Sequence, residues 1–207
     1  MRILLSLILL AIGTTAFAQD DMPDFRSKKD NFSKMQEKEI RADLSRFTLA
    51  GIDEGVGKEP LKSLPITSNT SNAVVFEGND IKVEVKTAAF DPSKHKIGYS
   101  DKYVVKIDNK PFFGNYGAMP RKIIQSVTVT MGGDTVVIPP TAFVDLYEPI
   151  LAYDSNNKSQ NGVYVSPDGH KLYIYMLNRE QVGNYEVTWV IQDKKYLRRT
   201  VDTGLLK

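Results

Sequence analysis

The chain has 207 residues, with 27 basic and 25 acidic side chains, two histidines and no cysteine. The lack of cysteine excludes disulfides, thiolate metal sites and cysteine nucleophiles from this sequence. A formal net charge of +2 argues against nucleic acid or an anionic membrane surface as a partner, because both attract clustered basic surfaces.

The N-terminus has the features of a cleavable secretory signal peptide. Arg2 supplies a positive charge, and residues 3–12 form an almost uninterrupted apolar run. Ala16 and Ala18 match the small-x-small pattern that precedes a cleavage site. The run is too short for a membrane span, which needs about 20 apolar residues. We therefore expect cleavage between Ala18 and Gln19, a periplasmic or secreted protein that is not a lipoprotein, and no integral membrane span.

Two further segments precede the first predicted strand. Residues 19–29 are polar and of mixed charge, which predicts a disordered leader. Residues 30–72 are predicted to form an amphipathic helix followed by an extended linker rich in Gly, Pro, Ser, Thr and Asn. Such a helix either packs on a sheet or docks to a partner. Its apolar side chains at helical spacing are Phe32, Met35, Ile40, Leu44 and Phe47.

Residues 73–207 are predicted to form an antiparallel β-sandwich. Apolar residues recur there with a period of two, which indicates strands. Turn residues separate the strands at Gly132-Gly133, Pro167–Gly169 and Asp193-Lys194. About eight short strands without intervening helices favour a mainly β fold, an immunoglobulin-like or related sandwich with one N-terminal amphipathic helix. In one alternating stretch, Tyr103, Val105 and Ile107 alternate with Lys102, Val104 and Lys106.

Two resemblances support this expectation. Residues 182–187 resemble the tyrosine corner that opens a late strand of immunoglobulin-like sandwiches, although Gln181 and Val187 depart from its usual Asp and Cys. The chain after residue 18 also resembles a family of secreted β-rich proteins of Bacteroidetes-type bacteria for which no activity is known. That resemblance implies a compartment and a fold, and no activity. It is carried by the Ala18-Gln19 junction, residues 47–53, residues 106–111 with Gly114, residues 172–176, residues 185–189 and Arg198-Arg199.

The sequence offers few of the patterns that catalysis or cofactor binding requires. His95 and His170 lie in polar loops without zinc-binding spacing, and the sequence has neither a serine-nucleophile elbow nor a phosphate-binding glycine motif. Residues 154–161 are rich in oxygen ligands, but Lys158 stands where a calcium loop needs an acidic or amide side chain. We therefore expect no metal and no cofactor.

Aromatic residues give the best candidates for a binding site. Tyr173 and Tyr175 share one face of a predicted strand whose other face is aliphatic, so they point outward unless the N-terminal helix covers them. Phe112, Phe113 and Tyr116 form a second group in a glycine-containing loop. Loops on a rigid scaffold commonly carry recognition, although Phe112 or Phe113 is expected to fill the end of the core.

These observations predict a non-enzymatic exported binding or accessory module of the bacterial envelope, with an envelope protein or glycan as its partner. Two alternatives remain open. One is a carbohydrate-active hydrolase that uses Asp145 and Glu148 as paired carboxylates. The other is a structural subunit of an envelope complex, docked through the predicted N-terminal helix.

Overall fold

The computed structural model describes residues 24–25, 61–115, 117–153, 159–179 and 183–203. The predicted signal peptide, the apolar stripe of the predicted helix and Tyr116 lie outside these described residues.

The described residues are mainly β, as predicted. Within them, helical structure is confined to two 3-10 turns at Pro92–Lys94 and Pro140–Ala142. The strands, in chain order, are β1 (Asp24–Phe25), β2 (Lys62–Ser63), β3 (Ile66–Asn69), β4 (Ala73–Gly78), β5 (Ile81–Ala89), β6 (Ile97–Ser100), β7 (Tyr103–Ile107), β8 (Lys122–Met131), β9 (Asp134–Val136), β10 (Asn161–Val165), β11 (Lys171–Asn178), β12 (Tyr185–Gln192) and β13 (Lys195–Asp202).

These strands form three sheets. The six-stranded sheet has the order β1-β13-β12-β11-β10-β2, the five-stranded sheet has the order β3-β4-β5-β8-β9, and β6 pairs with β7. Neighbouring strands are antiparallel throughout the described residues, except that β1 runs parallel to β13. The prediction of a mainly β fold built from antiparallel sheets is confirmed.

Three short strands lie in the segments predicted to be a leader and a linker. β1 belongs to the predicted leader and pairs with Val201 and Asp202 at the end of β13. β2 and β3 belong to the last part of the predicted linker, where β2 pairs with β10 and β3 pairs with β4. Both segments therefore contribute edge strands to the sheets.

Each predicted turn joins two neighbouring strands. Gly132 and Gly133 connect β8 to β9 with φ angles of 58° and 83°, a left-handed conformation that glycine adopts without a steric penalty. Asp193 and Lys194 connect β12 to β13 with φ angles of 49° and 61°. Pairs of positive φ angles suit two-residue hairpins, because their twist matches that of the flanking strands.

One hydrophobic core receives side chains from both large sheets. Because strand side chains alternate between faces, β8 places Val127 and Val129 in this core and leaves Thr128 exposed. From the six-stranded sheet, Leu172 and Ile174 of β11 join the same core. This shared core fixes which face of each sheet points inward.

The six-stranded sheet is also buried on its other face. Every residue of β11 from Leu172 to Asn178 is buried, and Tyr173, Tyr175, Leu177 and Val190 form a second apolar cluster. Strands buried on both faces read as continuous apolar runs, which is how the aliphatic and aromatic residues of β11 are arranged. Tyr173 and Tyr175 are therefore buried, whereas the N-terminal helix that was expected to cover them lies outside the described residues.

A third cluster anchors the two-stranded sheet. Val104 and Ile107 of β7 pack with Phe90, Phe112 and Tyr147. Phe112 and Phe90 both meet the Tyr147 ring edge-on, at centroid distances of 5.5 Å and 5.4 Å. Burial raises the pKa of Tyr147 to about 12. One side of the β6–β7 hairpin is therefore fixed to the body of the protein.

Candidate functional site

Both phenylalanines of the predicted aromatic loop lie inside the protein. Phe112 and Phe113 are 5% and 6% exposed, and Phe113 packs in the main core with its ring centroid 6.2 Å from that of Tyr185. Gly114 follows with φ of 89°, and a side chain there would collide with the carbonyl of Tyr147. Both phenylalanines are buried in apolar clusters, which is the core-filling alternative that the sequence left open.

Tyr173 and Tyr175 are similarly buried, at 2% and 4% exposure. The Tyr175 hydroxyl donates a hydrogen bond of 3.0 Å to the Glu186 carboxylate. Burial first, and then the charge of Glu186, raise the pKa of Tyr175. All four predicted binding aromatics within the described residues are buried, so none of them offers a ring to a ligand at the surface. Their role in binding stays a prediction.

The two carboxylates of the hydrolase alternative have separate partners. Asp145 forms a bidentate ion pair with Arg199, in which 2.7 Å separates Arg199 Nη2 from Asp145 Oδ2. Glu148 is 5% exposed, accepts a hydrogen bond from the backbone N–H of Arg121, and has the Arg121 Nε atom 3.6 Å away. An ion pair or a backbone hydrogen bond is an ordinary structural role for a buried carboxylate.

Glu148 borders a cleft of about 430 Å³. Two cationic side chains, Arg121 and Lys122, line the cleft together with polar and small residues. Among the described residues, no three His, Asp or Glu side chains are placed to hold a metal ion. Glu148 is the single carboxylate among the residues that line the cleft, whereas glycoside hydrolysis uses a pair of carboxylates.

Exposed aromatic rings occur instead on the β6–β7 hairpin. Tyr99 is 58% exposed and Tyr103 is 51% exposed. Ser100 lies opposite Tyr103 across the hairpin, whereas Tyr99 lies opposite the buried Val104. Because opposed residues share a face and successive residues alternate, the two tyrosines project from opposite faces of the hairpin tip.

The face of this hairpin that carries Tyr103 is called the hairpin face below. It consists of Gly98, Ser100, Tyr103 and Lys106, because Gly98 lies opposite Lys106 and Ser100 lies opposite Tyr103. The Lys102 Nζ atom lies 5.4 Å from the Tyr103 ring centroid, within the range of a cation–π contact. The hairpin face therefore combines an exposed aromatic ring with lysine ammonium groups.

Sequence alternation assigned Tyr103 to the same face as Ile107. The register of β6 with β7 shifts between Gly98 and Tyr99, so that Val104 and Ile107 are buried while Tyr103 is exposed. An extra residue in one strand reverses the alternation beyond it. The only signal in the sequence is the pair of apolar neighbours Val104 and Val105, which does not reveal where the extra residue lies.

No family model matches the chain, and comparisons with curated proteins and with solved structures find no similar protein. Within the described residues there is no helix with the length and apolar character needed to cross a membrane.

Both histidines pair with aspartates at the surface. His95 Nδ1 lies 2.7 Å from Asp108, and the His95 ring stacks on Phe90 with 4.7 Å between centroids. His170 Nδ1 lies 2.7 Å from Asp193. The hydrogen bond to Asp193 is the main cause of a raised pKa for His170, and the same bond lowers the pKa of Asp193.

The His170–Asp193 pair predicts a pH-dependent contact. A raised histidine pKa adds stability that is complete below 6.5 and is lost as pH rises through the pKa of the folded state. A lowered aspartate pKa adds stability above 3.8 that is lost as pH falls through its folded pKa. We expect an NMR titration to give His170 a midpoint above 6.5, and Asp193→Asn to lower that midpoint. An unchanged midpoint in Asp193→Asn would contradict the pairing; His170→Gln identifies the resonance.

Proposed function

We propose that this chain is an exported, non-enzymatic binding or accessory module of the bacterial envelope, and that the β6–β7 hairpin contacts its partner. The observation that carries the proposal is the exposure of Tyr99 and Tyr103 on a single hairpin. Tyrosine contributes a large contact area at a low cost in conformational entropy, which is why it is common in binding surfaces.

The packing of the base of the hairpin against the rest of the protein supports a binding role. Val104 and Ile107 are buried in the third cluster, so the base of the hairpin is held while its tip projects. Asp101 occupies the tip with φ of 51°, in a tight connection between β6 and β7. A short loop on a fixed base can present side chains to a partner without a large ordering cost.

Three further observations support the rest of the proposal. The first 18 residues have the pattern of an export signal, which favours the periplasm or the medium. The core shared by the two large sheets supports an antiparallel β-sandwich of immunoglobulin-like or related type. The engagement of Asp145 by Arg199 and of Glu148 by Arg121 favours a binding role over hydrolysis.

The experiment compares three tagged forms of the full chain, exported by a bacterial host and incubated with envelope extracts. The wild type and Tyr153→Ser are expected to retain the same envelope component, because Tyr153 is 45% exposed but lies outside the hairpin. The double variant Tyr99→Ser, Tyr103→Ser is expected to retain at least about fivefold less, the loss typical of truncating a contact residue.

Circular dichroism of all three forms controls for folding. Equal retention by the double variant and the wild type would remove the hairpin from the proposal. A loss of retention in Tyr153→Ser as large as that in the double variant would show a general effect of surface tyrosines, and would overturn it as well.

A further inference from the structure

We propose that the hairpin face binds an acidic polysaccharide. This inference rests on the proposed function for the location of the site and adds the chemical class of the ligand. It follows from the local charge, from the register of the hairpin and from the combination of side chains around Gly98.

Positive charge is concentrated around the hairpin although the chain as a whole is nearly neutral. Residues 91–122 contain seven basic side chains and three acidic ones, a local charge of +4, whereas the whole chain carries +2. The remaining residues therefore carry –2. Five of the seven basic residues are exposed lysines within residues 94–110: Lys94, Lys96, Lys102, Lys106 and Lys110.

Two of the three acids in this region are already engaged. Asp91 accepts hydrogen bonds from Ser93 and lies 3.3 Å from the Lys94 Nζ atom. Asp108 lies 2.7 Å from His95 Nδ1 and accepts the backbone N–H of Lys96. These contacts hold the pKa values of both aspartates below the usual range, so both stay ionised and bound to these partners. The third acid, Asp101, lies at the hairpin tip.

The register places lysines on the hairpin face itself. Lys106 lies opposite Gly98. Lys96 immediately precedes β6, two residues before Gly98, and continued strand alternation would place its side chain on the same side. None of the ion pairs formed among the described residues uses Lys96 or Lys106. Their ammonium groups are therefore available to an anionic ligand, apart from any contact with residues that are not described.

Gly98 leaves a flat strip of backbone between these charges. A Cβ atom at this position would lie 3.1 Å from the Lys106 Cβ atom, so any side chain would crowd the lysine stem. Tyr103, which is 51% exposed, stands at one end of the strip. An aromatic ring beside lysines suits a sugar polymer that carries carboxylates or sulfates, because the ring packs on the sugar while the ammonium groups pair with the acids.

Polysaccharide is favoured over nucleic acid on two grounds. The basic side chains of the hairpin are lysines, which act as point charges, whereas arginine is the residue suited to bidentate phosphate contacts. The negative balance of charge outside residues 91–122 would repel a long, uniformly charged duplex that extended past the hairpin.

The test measures binding of the full chain to polygalacturonate, to heparin, to neutral dextran and to duplex DNA over a range of salt concentrations. We expect binding to the two acidic polysaccharides that weakens with salt, and none to dextran. Lys96→Gln with Lys106→Gln is expected to weaken that binding by about tenfold or more at low salt and to make its salt dependence shallower. The matched control, Lys82→Gln with Lys86→Gln, removes the same charge from β5 and is expected to bind as the wild type does.

Each contrary result overturns the inference. Absence of binding to both acidic polysaccharides excludes the ligand class, and equal losses in the two lysine variants exclude the hairpin face. Tighter binding to DNA than to either polysaccharide would show that the ligand is a nucleic acid and not a polysaccharide. A different result would overturn the proposed function, namely equal retention of the envelope component by the wild type and by the double variant Tyr99→Ser, Tyr103→Ser. If the double variant Tyr99→Ser, Tyr103→Ser loses the envelope component while the wild type binds no polyanion, the proposed function stands and the ligand class is excluded.

Discussion

Replacing Asp145 with alanine is expected to lower the free energy of unfolding by about 3–5 kcal/mol, because it removes a carboxylate that is paired with a buried guanidinium. The Arg199 side chain is 5% exposed and reaches both carboxylate oxygens of Asp145. Removing one member of a buried pair leaves the other charge in a medium of low polarity. Urea unfolding, followed by the fluorescence of Trp189, measures the change.

An exposed ion pair in the same protein provides the control. Asp134 and Lys194 lie 2.7 Å apart with side chains 70% and 50% exposed, so Asp134→Ala is expected to leave the unfolding midpoint almost unchanged. The double variant Asp145→Ala, Arg199→Met should recover part of the lost stability, since it removes both charges. Equal effects of Asp145→Ala and Asp134→Ala would mean that burial does not strengthen the Asp145–Arg199 pair.

The order of the strands along the chain could be predicted because its causes are local. Turn residues such as Gly132-Gly133 and Asp193-Lys194 adopt positive φ angles in this fold, and they limit the strands on either side. Alternation along β5 and β8 works for the same reason, since each of those strands has one exposed face. A period of two in the sequence then maps directly onto the two faces of a sheet.

The candidate site could not be predicted, because its causes are not local. A shift in register between β6 and β7 turns Tyr103 outward. Packing in two apolar clusters buries Phe112 and Phe113. The partner of Asp145 lies 54 positions away on β13, so the nearby Glu148 was a more obvious companion in the sequence. Tertiary contacts determine which aromatic residues are exposed and which carboxylates form ion pairs. Composition and sequence spacing do not reveal those contacts.

Trp189 offers the second large effect, because it combines full burial with a hydrogen bond to a distant loop. It is 0% exposed in the main core, and its Nε1 atom donates to the Ala142 carbonyl at 2.7 Å. Trp189→Ala is expected to cost about 3–5 kcal/mol through the cavity that it leaves. Trp189→Phe retains most of the apolar volume and is expected to cost less, yet at least about 1–3 kcal/mol, because the buried carbonyl of Ala142 loses its donor.

Circular dichroism must follow these unfolding curves, since Trp189 is the single tryptophan of the chain. Leu197→Ala is the control, because Leu197 lies on the adjacent strand β13 and is 39% exposed; its loss should change stability little. If Trp189→Phe proved as harmless as Leu197→Ala, the hydrogen bond would contribute nothing to holding the segment after β9 against the six-stranded sheet. A cost between those of Leu197→Ala and Trp189→Ala would instead show that Trp189 stabilises the fold both by filling the core and by fixing the Pro140–Ala142 turn upon it.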